Sequence, residues 1–298
     1  YPKEIQKTGI ALSTDHNPRY GIIDPYLGGI NSVVEAMRNV AAVGATPHAI
    51  SDCLCFGNPE NPNQMWEFVE SVRGVAEACN QIKLKHNQKH PTPIIAGNVS
   101  FYNESKSGAI PPSPIVSCLG KLENIDKTIS MSFKKENSTI LMLGLRKNEM
   151  GGSLFYQLNN ELGANVPNPD LNEVKKQIYA ITDCIDQSLL NSCHDISDGG
   201  LAVALAEMSF KNEIGFDIKI KQDYNDGILL FSETGGFVLE TDNDNINDVE
   251  NIFNNYNLSF QNIGKTNNSS RLRINESINL ELKKAKTLWE NGLRNKLK

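Results

Sequence analysis

The sequence predicts a mixed α+β protein made of two α/β parts, residues 1–120 and 121–298. Three observations predict it. Apolar strand-like runs alternate with segments of helical periodicity over the first 120 residues. Around residues 121–137 the composition turns polar and lysine-rich, which marks a boundary. A second alternation of strands and helices then begins at STILMLGL. A chain of 298 residues suits one large domain or two modest ones. Its 39% hydrophobic and 21% charged residues are ordinary globular usage.

Residues 8–14 (TGIALST) read as a strand, and residues 15–29, rich in Asp, Asn, Pro and Gly, as a loop. INSVVEAMRNVAAVG reads as a helix, because Ile30, Val33, Val34, Met37, Val40 and Ala41 recur at helical spacing and Gly44 sits where a C-cap belongs. PHAISDCLCF is a strand, residues 62–83 a long helix, and KLKHNQKHPT a solvated polar loop. PIIAGNVSF reads as a buried strand that breaks into a polar cluster, and SPIVSCLGKL as another strand. In the second part STILMLGL is a buried strand, GGSLFYQL a helix, NVPNPD a linker, and residues 171–191 helical. NSCHDISDGG reads as a loop before the helix LAVALAEMSF. GFDIKI, GILLFS and GGFVLE read as strands, DVENIFNNY as a helix, LSFQNIG and SRLRINE as strands, and a last helix starts near residue 279.

The net charge of −6, with only short lysine clusters, argues against a nucleic-acid binder. The six cysteines form no zinc-ligand spacing, and Cys53-Leu54-Cys55 is not a redox C-x-x-C. They read as buried free thiols of a reducing cytosol. No apolar run reaches membrane-span length, and no signal peptide is visible. Because the first residue is Tyr1 and a strand follows at once in IQKTGIALSTD, the chain is expected to start inside a longer polypeptide.

Several residues could carry chemistry. Glu35 and Asn39, four apart on a helix, offer a carboxylate and an amide oxygen on one face, which suits a hard cation. A solvated face with Glu35 pairing Arg38 would look the same. Asp195 and Asp198 precede Gly199-Gly200 and a helix start; they fit a magnesium ion bridging to phosphate, or simple capping. His194 has no partner that can be named from sequence. Asp52 closes a strand, where α/β sheets tend to place ligands. Gly97 serves either a bulge or close approach of a ligand to the backbone.

STDHNPRYGIIDPYLGG, VVEAMRNVAAVGATP, DCLCFGNPENP, GNVSFYNE and HDISDGGLAVALAEM, in that order, resemble the synthetase subunit of the phosphoribosylformylglycinamidine synthase (formylglycinamide ribonucleotide amidotransferase) family. The wording is closest to the short form and to its second half. The resemblance implies an aminoimidazole ribonucleotide synthetase-like N-terminal domain that contributes strands to a shared barrel, followed by a C-terminal α/β domain. It implies ATP-dependent amidation of formylglycinamide ribonucleotide by glutamine-derived ammonia in purine biosynthesis, with the amide oxygen phosphorylated first. Carried over residue by residue, Asp52 and Gly97 would contact ATP, Asn98 would bind Mg2+, and Ser100 would contact the ribonucleotide. Glu35, Asn39 and Asp195 would bind Mg2+, with Ser197, at an auxiliary nucleotide site that holds ADP in the long form. The implied partners are the first half of the synthetase, a glutaminase subunit and a small accessory subunit, in the cytoplasm.

The sequence departs from the family at Cys55, where Asn is usual, at Ala96, the first of two expected glycines, and after Glu233, where an expected Arg is missing. The histidine-containing catalytic segments of the first half have no counterpart, so no catalytic residue is assigned here. Two alternatives remain: a non-catalytic, nucleotide-stabilised scaffold half, and another ATP-using member of the superfamily.

Overall fold

The computed structural model describes residues 7–221 and 223–297. The expected beginning of the first strand region at Ile5 and Gln6 lies outside them. The first sheet is built from β1 (Gly9–Asp15), β2 (Thr46–Cys55), β5 (Ile94–Ser100) and β8 (Ser113–Leu122), in the order β1-β8-β2-β5. All neighbours are antiparallel except β2 and β5. Short hairpins β3–β4 (Lys83–Leu84, Asn87–Pro91) and β6–β7 (Glu104–Ser105, Gly108–Ala109) decorate it. Helices α1 (Pro18–Ile23), α2 (Pro25–Ala42) and α3 (Pro62–Gln81) accompany this sheet.

Residues 15–29 are therefore not a loop. Asn17 caps α1 and Asp24 caps α2 through Leu27 N at 2.9 Å, with Pro18 and Pro25 at first helical positions. KLKHNQKHPT folds back on itself as the β3–β4 hairpin, with Tyr179 Oη donating to Lys83 O and Lys85 Nζ paired to Asp183 at 2.6 Å.

The second sheet has the order β10 (Ser192–Ile196), β12 (Gly236–Thr241), β9 (Thr139–Leu143), β13 (Phe260–Asn267), β11 (Gly215–Ile218), β14 (Arg271–Ile274) and β15 (Ile278–Glu281). Its helices are α4 (Leu154–Leu158), α5 (Leu171–Asp186), α6 (Gly200–Phe210), α7 (Asp226–Phe231), α8 (Ile246–Asn255) and α9 (Leu282–Lys296). Three readings change here; the first is the last helix, which starts at Leu282 because Ile278–Glu281 pair with β14 as strand β15. NSCHDIS holds strand β10, because its short residues pair with β12 from Ser192 opposite Glu240 to Ile196 opposite Gly236. GILLFS is helix α7, capped by Asn225 through Ile228 N at 3.0 Å; its apolar run is too short for periodicity to separate helix from strand.

Period-two alternation splits β9 between two cores. Leu141 and Leu143 face α5 and α8, while Ile140 and Met142 face the core under α6. The first of these cores continues without a break into α2, α3 and β8 of the first part.

The first sheet is covered on one side only. Ala11 and Ser13 of β1 turn toward α2, and Ser13 Oγ donates to Ala36 O at 2.7 Å. On the other side Ile10 and Leu12 are each 70% exposed. Strand β5, expected to be buried, is exposed on both faces because it is the outer strand of this half-barrel.

Helices α2 and α3 pack with backbones in near contact. A Cβ added at Gly74 would strike Tyr26 O, and one at Gly29 would strike Ser71 O. Gly74→Ala is expected to lower stability by about 2 kcal/mol through overpacking. Gly292→Ala, which meets open space within α9, should raise it by about 0.8 kcal/mol. Chemical denaturation midpoints check both, and an unchanged midpoint for Gly74→Ala would contradict the close packing.

Candidate functional site

The expected site residues fall into two groups. The first lies in the C-terminal half of the parallel β2–β5 pair; Asp52 does not close its strand as expected but stands within β2 opposite Gly97, with Cys53 opposite Asn98 and Cys55 opposite Ser100. Opposed residues share a face and neighbours alternate. Asp52 and Gly97 therefore look toward the helices, whereas Asn98 and Ser100 look onto the open face with the two cysteines. The parallel register brings all four close along the strand pair but divides them between two sides of the sheet.

Gly97 has a reason internal to the chain: the space a Cβ would need is filled by the Asp52 carboxylate. The strand irregularity lies at Ile50–Ser51, not at Gly97. Burial raises the Asp52 carboxyl above its ordinary value. Asn98 Nδ2 donates weakly to Cys53 Sγ at 3.4 Å, and Cys53 Sγ lies 3.6 Å from Cys55 Sγ. All six cysteines are free thiols; four are buried as expected, but Cys53 and Cys55 are only half-buried because they stand on the uncovered face of the sheet. The polar cluster after the strand is a turn. Tyr102 takes a left-handed φ of 60°, and Asn103 Nδ2 donates to Ser100 O at 2.9 Å and Phe56 O at 3.0 Å.

The second group gathers between the two sheets. Glu35 and Asn39 come from α2, Asp195 from β10, and Asp198 from the turn before α6. The polar side of α2 is not solvated: Arg38 is 3% exposed, and Glu35 is half-buried. Asp15, which sequence reasoning missed, joins from the end of β1 and accepts from Asn39 Nδ2 at 3.2 Å. No spacing along the chain links Asp15 to Glu35, so no local signal marks it. Asp15, Val116, Asp52 and Gly97 form one row across the first sheet. At about 4.8 Å per strand, roughly 10 Å of that row separates Asp15 from Asp52, the nearest members of the two groups.

The turn before α6 is held from below. Gly199 and Gly200 both have positive φ, 79° and 69°, which glycine adopts without strain. Buried Glu233 accepts from Gly199 N at 2.8 Å, Leu154 N at 2.8 Å and Tyr20 Oη at 2.6 Å, so it ties this turn to α1. Asn17 Nδ2 donates to Asp198 Oδ1 at 3.3 Å across the same seam. His194, for which sequence offered no partner, has two: Asp195 Oδ1 at 3.1 Å and Glu207 Oε2 at 3.0 Å. Burial alone would lower its pKa, but these two carboxylates raise it to about 9, so both ring nitrogens carry protons near neutrality.

The electrostatics are those of an unfinished site. Burial, then the Asp195 charge, pushes Glu35 well above the ordinary 4.5. Burial raises Asp15 and Asp198 too, with Asp195 adding to both. Burial also penalises the Asp195 anion, yet the hydrogen bond and charge of His194, then Arg38 and Ser197, hold it below its usual value. Asp195 Oδ2 and Asp15 Oδ2 are buried with no hydrogen-bond partner. Buried acceptors are normally satisfied. These hard oxygen donors are of the kind Mg2+ takes. Among the described residues, however, no three His, Cys, Asp or Glu side chains are gathered closely enough to hold an ion by themselves.

A pH dependence follows. The native state favours protonated Glu35 more than the unfolded chain does, so stability is fullest below about pH 4.5 and falls as pH rises through the elevated native value. Glu35→Gln removes that loss. Its melting temperature should exceed that of the wild type at pH 8 and approach it at pH 5. A difference independent of pH would refute the assignment.

Comparison with known proteins fits this architecture. Residues 4–122 match the family model described as AIR synthase related protein, N-terminal domain, and residues 135–276 match its C-terminal domain. The phosphoribosylformylglycinamidine synthase subunit PurL of Methanothrix thermoacetophila is 43% identical over 292 residues, which is 96% of this chain and 38% of that protein. The chain thus spans about two fifths of this relative. Among solved structures, Thermotoga maritima PurL complexed with FGAR superposes with a TM-score of 0.78 at 17% identity, covering 94% of this chain and 46% of that one. The same organism's PurL complexed with ATP gives 0.75 at 17%, covering 94% and 44%. The chain therefore belongs to the AIR synthase related family and contains both its N-terminal and its C-terminal domain.

Proposed function

We infer that this chain is the second half of a PurL-type synthetase, which uses ATP to convert formylglycinamide ribonucleotide and ammonia to formylglycinamidine ribonucleotide in the cytoplasm. The observation that carries this reading is the similarity to PurL over nearly the whole chain while only about two fifths of the relative is spanned. On this reading the half-barrel is closed by strands of the first half. Ile10 and Leu12 of β1 and the exposed outer strand β5 supply an apolar, unpaired surface for that contact. A glutaminase subunit and a small accessory subunit would supply the ammonia.

Asp52 and Gly97 are proposed to meet ATP, Asn98 its Mg2+, and Ser100 the ribonucleotide. The metal would supply charge neutralisation on the phosphates, and these residues would position the reacting groups. Glu35, Asn39, Asp195 and Ser197 are proposed to form an auxiliary Mg2+–ADP site, with Asp15 as an added oxygen donor. Mg2+ is typically bound by one or two carboxylates plus phosphates and waters. A nucleotide would therefore complete a donor set that the protein leaves short.

A nucleotide-stabilised scaffold is the second reading, favoured by the partnerless carboxylate oxygens of the inter-domain group. Asn98→Ala in the assembled enzyme separates the two. Loss of turnover by orders of magnitude with unchanged melting supports the synthetase reading, and near-normal turnover leaves only the scaffold. The chain by itself is expected to form no product from ATP, Mg2+, ammonia and formylglycinamide ribonucleotide, yet to melt about 5 °C higher with MgADP at a hundredfold excess over its dissociation constant. Product from the chain alone would overturn the half-enzyme assignment.

A further inference from the structure

The free oxygen of Asp195 is the end of a chain of contacts that begins on the last helix. Trp289 of α9 donates from Nε1 to Glu207 Oε1 at 3.0 Å. The other oxygen of Glu207, on α6, accepts from His194 Nε2 at 3.0 Å. The opposite ring nitrogen of His194, on β10, donates to Asp195 Oδ1 at 3.1 Å. Asp195 Oδ2 is then left buried and without a partner. Four side chains from three elements thus lie in one line, and each acceptor oxygen used by one partner leaves the other oxygen for the next.

We propose that Glu207 and Trp289 are positioning residues that act through His194 to aim Asp195 Oδ2 at the cation of a bound nucleotide, so that occupancy of the inter-domain site is coupled to the seating of α9. This rests on the auxiliary-site reading above. A carboxylate with one oxygen pinned by a ring N–H can rotate only about that bond, which fixes where its second oxygen points. Carboxylate–histidine pairs orient ligands at metal centres in the same way. Glu207 in turn fixes the imidazole plane. The indole anchors Glu207 at one end and packs on Phe210 at the other, with ring centroids 5.5 Å apart. Trp289 is 54% exposed, so its hold is a weak link that a change at the site can disturb. Neither residue touches the site. Their effect is expected on cation and nucleotide affinity, not on the chemical step.

The indole itself reports on the chain of contacts. The protein has two tryptophans, so a Trp66→Phe background leaves Trp289 as the single indole N–H in a proton–nitrogen correlation spectrum. In the ligand-free chain, Asp195→Asn should shift that resonance, whereas Asp198→Asn, in the same site but outside the line, should not. Adding MgADP should shift it saturably. Trp289→Phe, which keeps the ring against Phe210, and Glu207→Ala should each weaken MgADP about tenfold by thermal shift. Leu288→Ala, an exposed neighbour on α9, should leave the affinity unchanged. An indole resonance indifferent to Asp195→Asn overturns the positioning chain even if MgADP binds. A resonance that responds to Asp195→Asn in a chain that MgADP neither stabilises nor shifts overturns the auxiliary-site reading, and the coupling with it. Equal weakening by Leu288→Ala would reduce Trp289 to packing and overturn the proposal.

Discussion

The fold depends on the near-complete burial of α2. Fourteen of its 18 residues are buried, so it has almost no solvent face. One side carries Val33, Val34, Met37 and Val40 into the continuous core, where each fully buried aliphatic side chain is worth about 1.5–3 kcal/mol. Gly28, Gly29 and Ala36 allow neighbours to approach its backbone closely. The remaining side has nowhere to go but the seam between the two sheets. A polar residue on such a helix must therefore either be satisfied inside or be kept for a ligand. Asn31 is satisfied, donating to Leu27 O at 2.8 Å and Pro167 O at 2.7 Å. Glu35, between Arg38 and the two aspartates, faces the site instead.

That arrangement costs stability, and the costs are locally offset. Carboxylates gathered in a low-dielectric seam repel one another. The structure answers with one protonated imidazole and one buried guanidinium, not enough to neutralise Asp15, Glu35, Asp195 and Asp198 together. Glu233 shows the alternative solution: its two oxygens accept three hydrogen bonds, and it serves as a clamp. The contrast separates structural from functional acids better than charge alone. A buried carboxylate with all its neighbours engaged holds the turn, whereas Asp195, with one oxygen engaged and one free, is poised for something the chain does not itself provide. Proteins commonly give up stability at such sites in exchange for function.

Much of this was legible in the sequence, and the failures have physical causes. The helix at 30–43 carried clear helical periodicity with Gly44 after it, whereas the strand at 46–55 and the apolar helix at 200–210 were recognised without a cap or a polar face. PIIAGNVSF looked buried because apolar composition does not distinguish a core strand from the outer strand of a half-barrel. NSCHDIS and GILLFS were misassigned because five or six residues hold too little periodicity, and pairing with β12 and capping by Asn225 decided them. The motif segments placed Glu35, Asn39 and Asp195 in one site, although they come from opposite parts of the chain. Asp15 escaped because it is related to them only through sheet register. The partners of His194 escaped for a similar reason: Glu207 lies 13 residues on, and Trp289 another 82.

The two groups of site residues differ in how complete this chain can make them. The inter-domain group is walled by α2, β1, β10 and the turn before α6, all within one chain, with Asp195 buried, Asp15, Glu35 and Asn39 half-buried and Asp198 at the exposed rim. Asn98 and Ser100 stand instead on an open sheet face, where water competes for every hydrogen bond they could make and the dielectric is high. A phosphoryl-transfer site gains most from fixed donors in a dry cavity. Helices α2 and α3 occupy the opposite side of the sheet and leave this face open among the described residues. On the proposed reading, closing the barrel with a second sheet does two things at once. It removes the unpaired edges of β1 and β5, and it turns an exposed strand end into the wall of an enclosed site. The same apolar surface that makes the half-barrel look unfinished would then make the chemistry conditional on assembly.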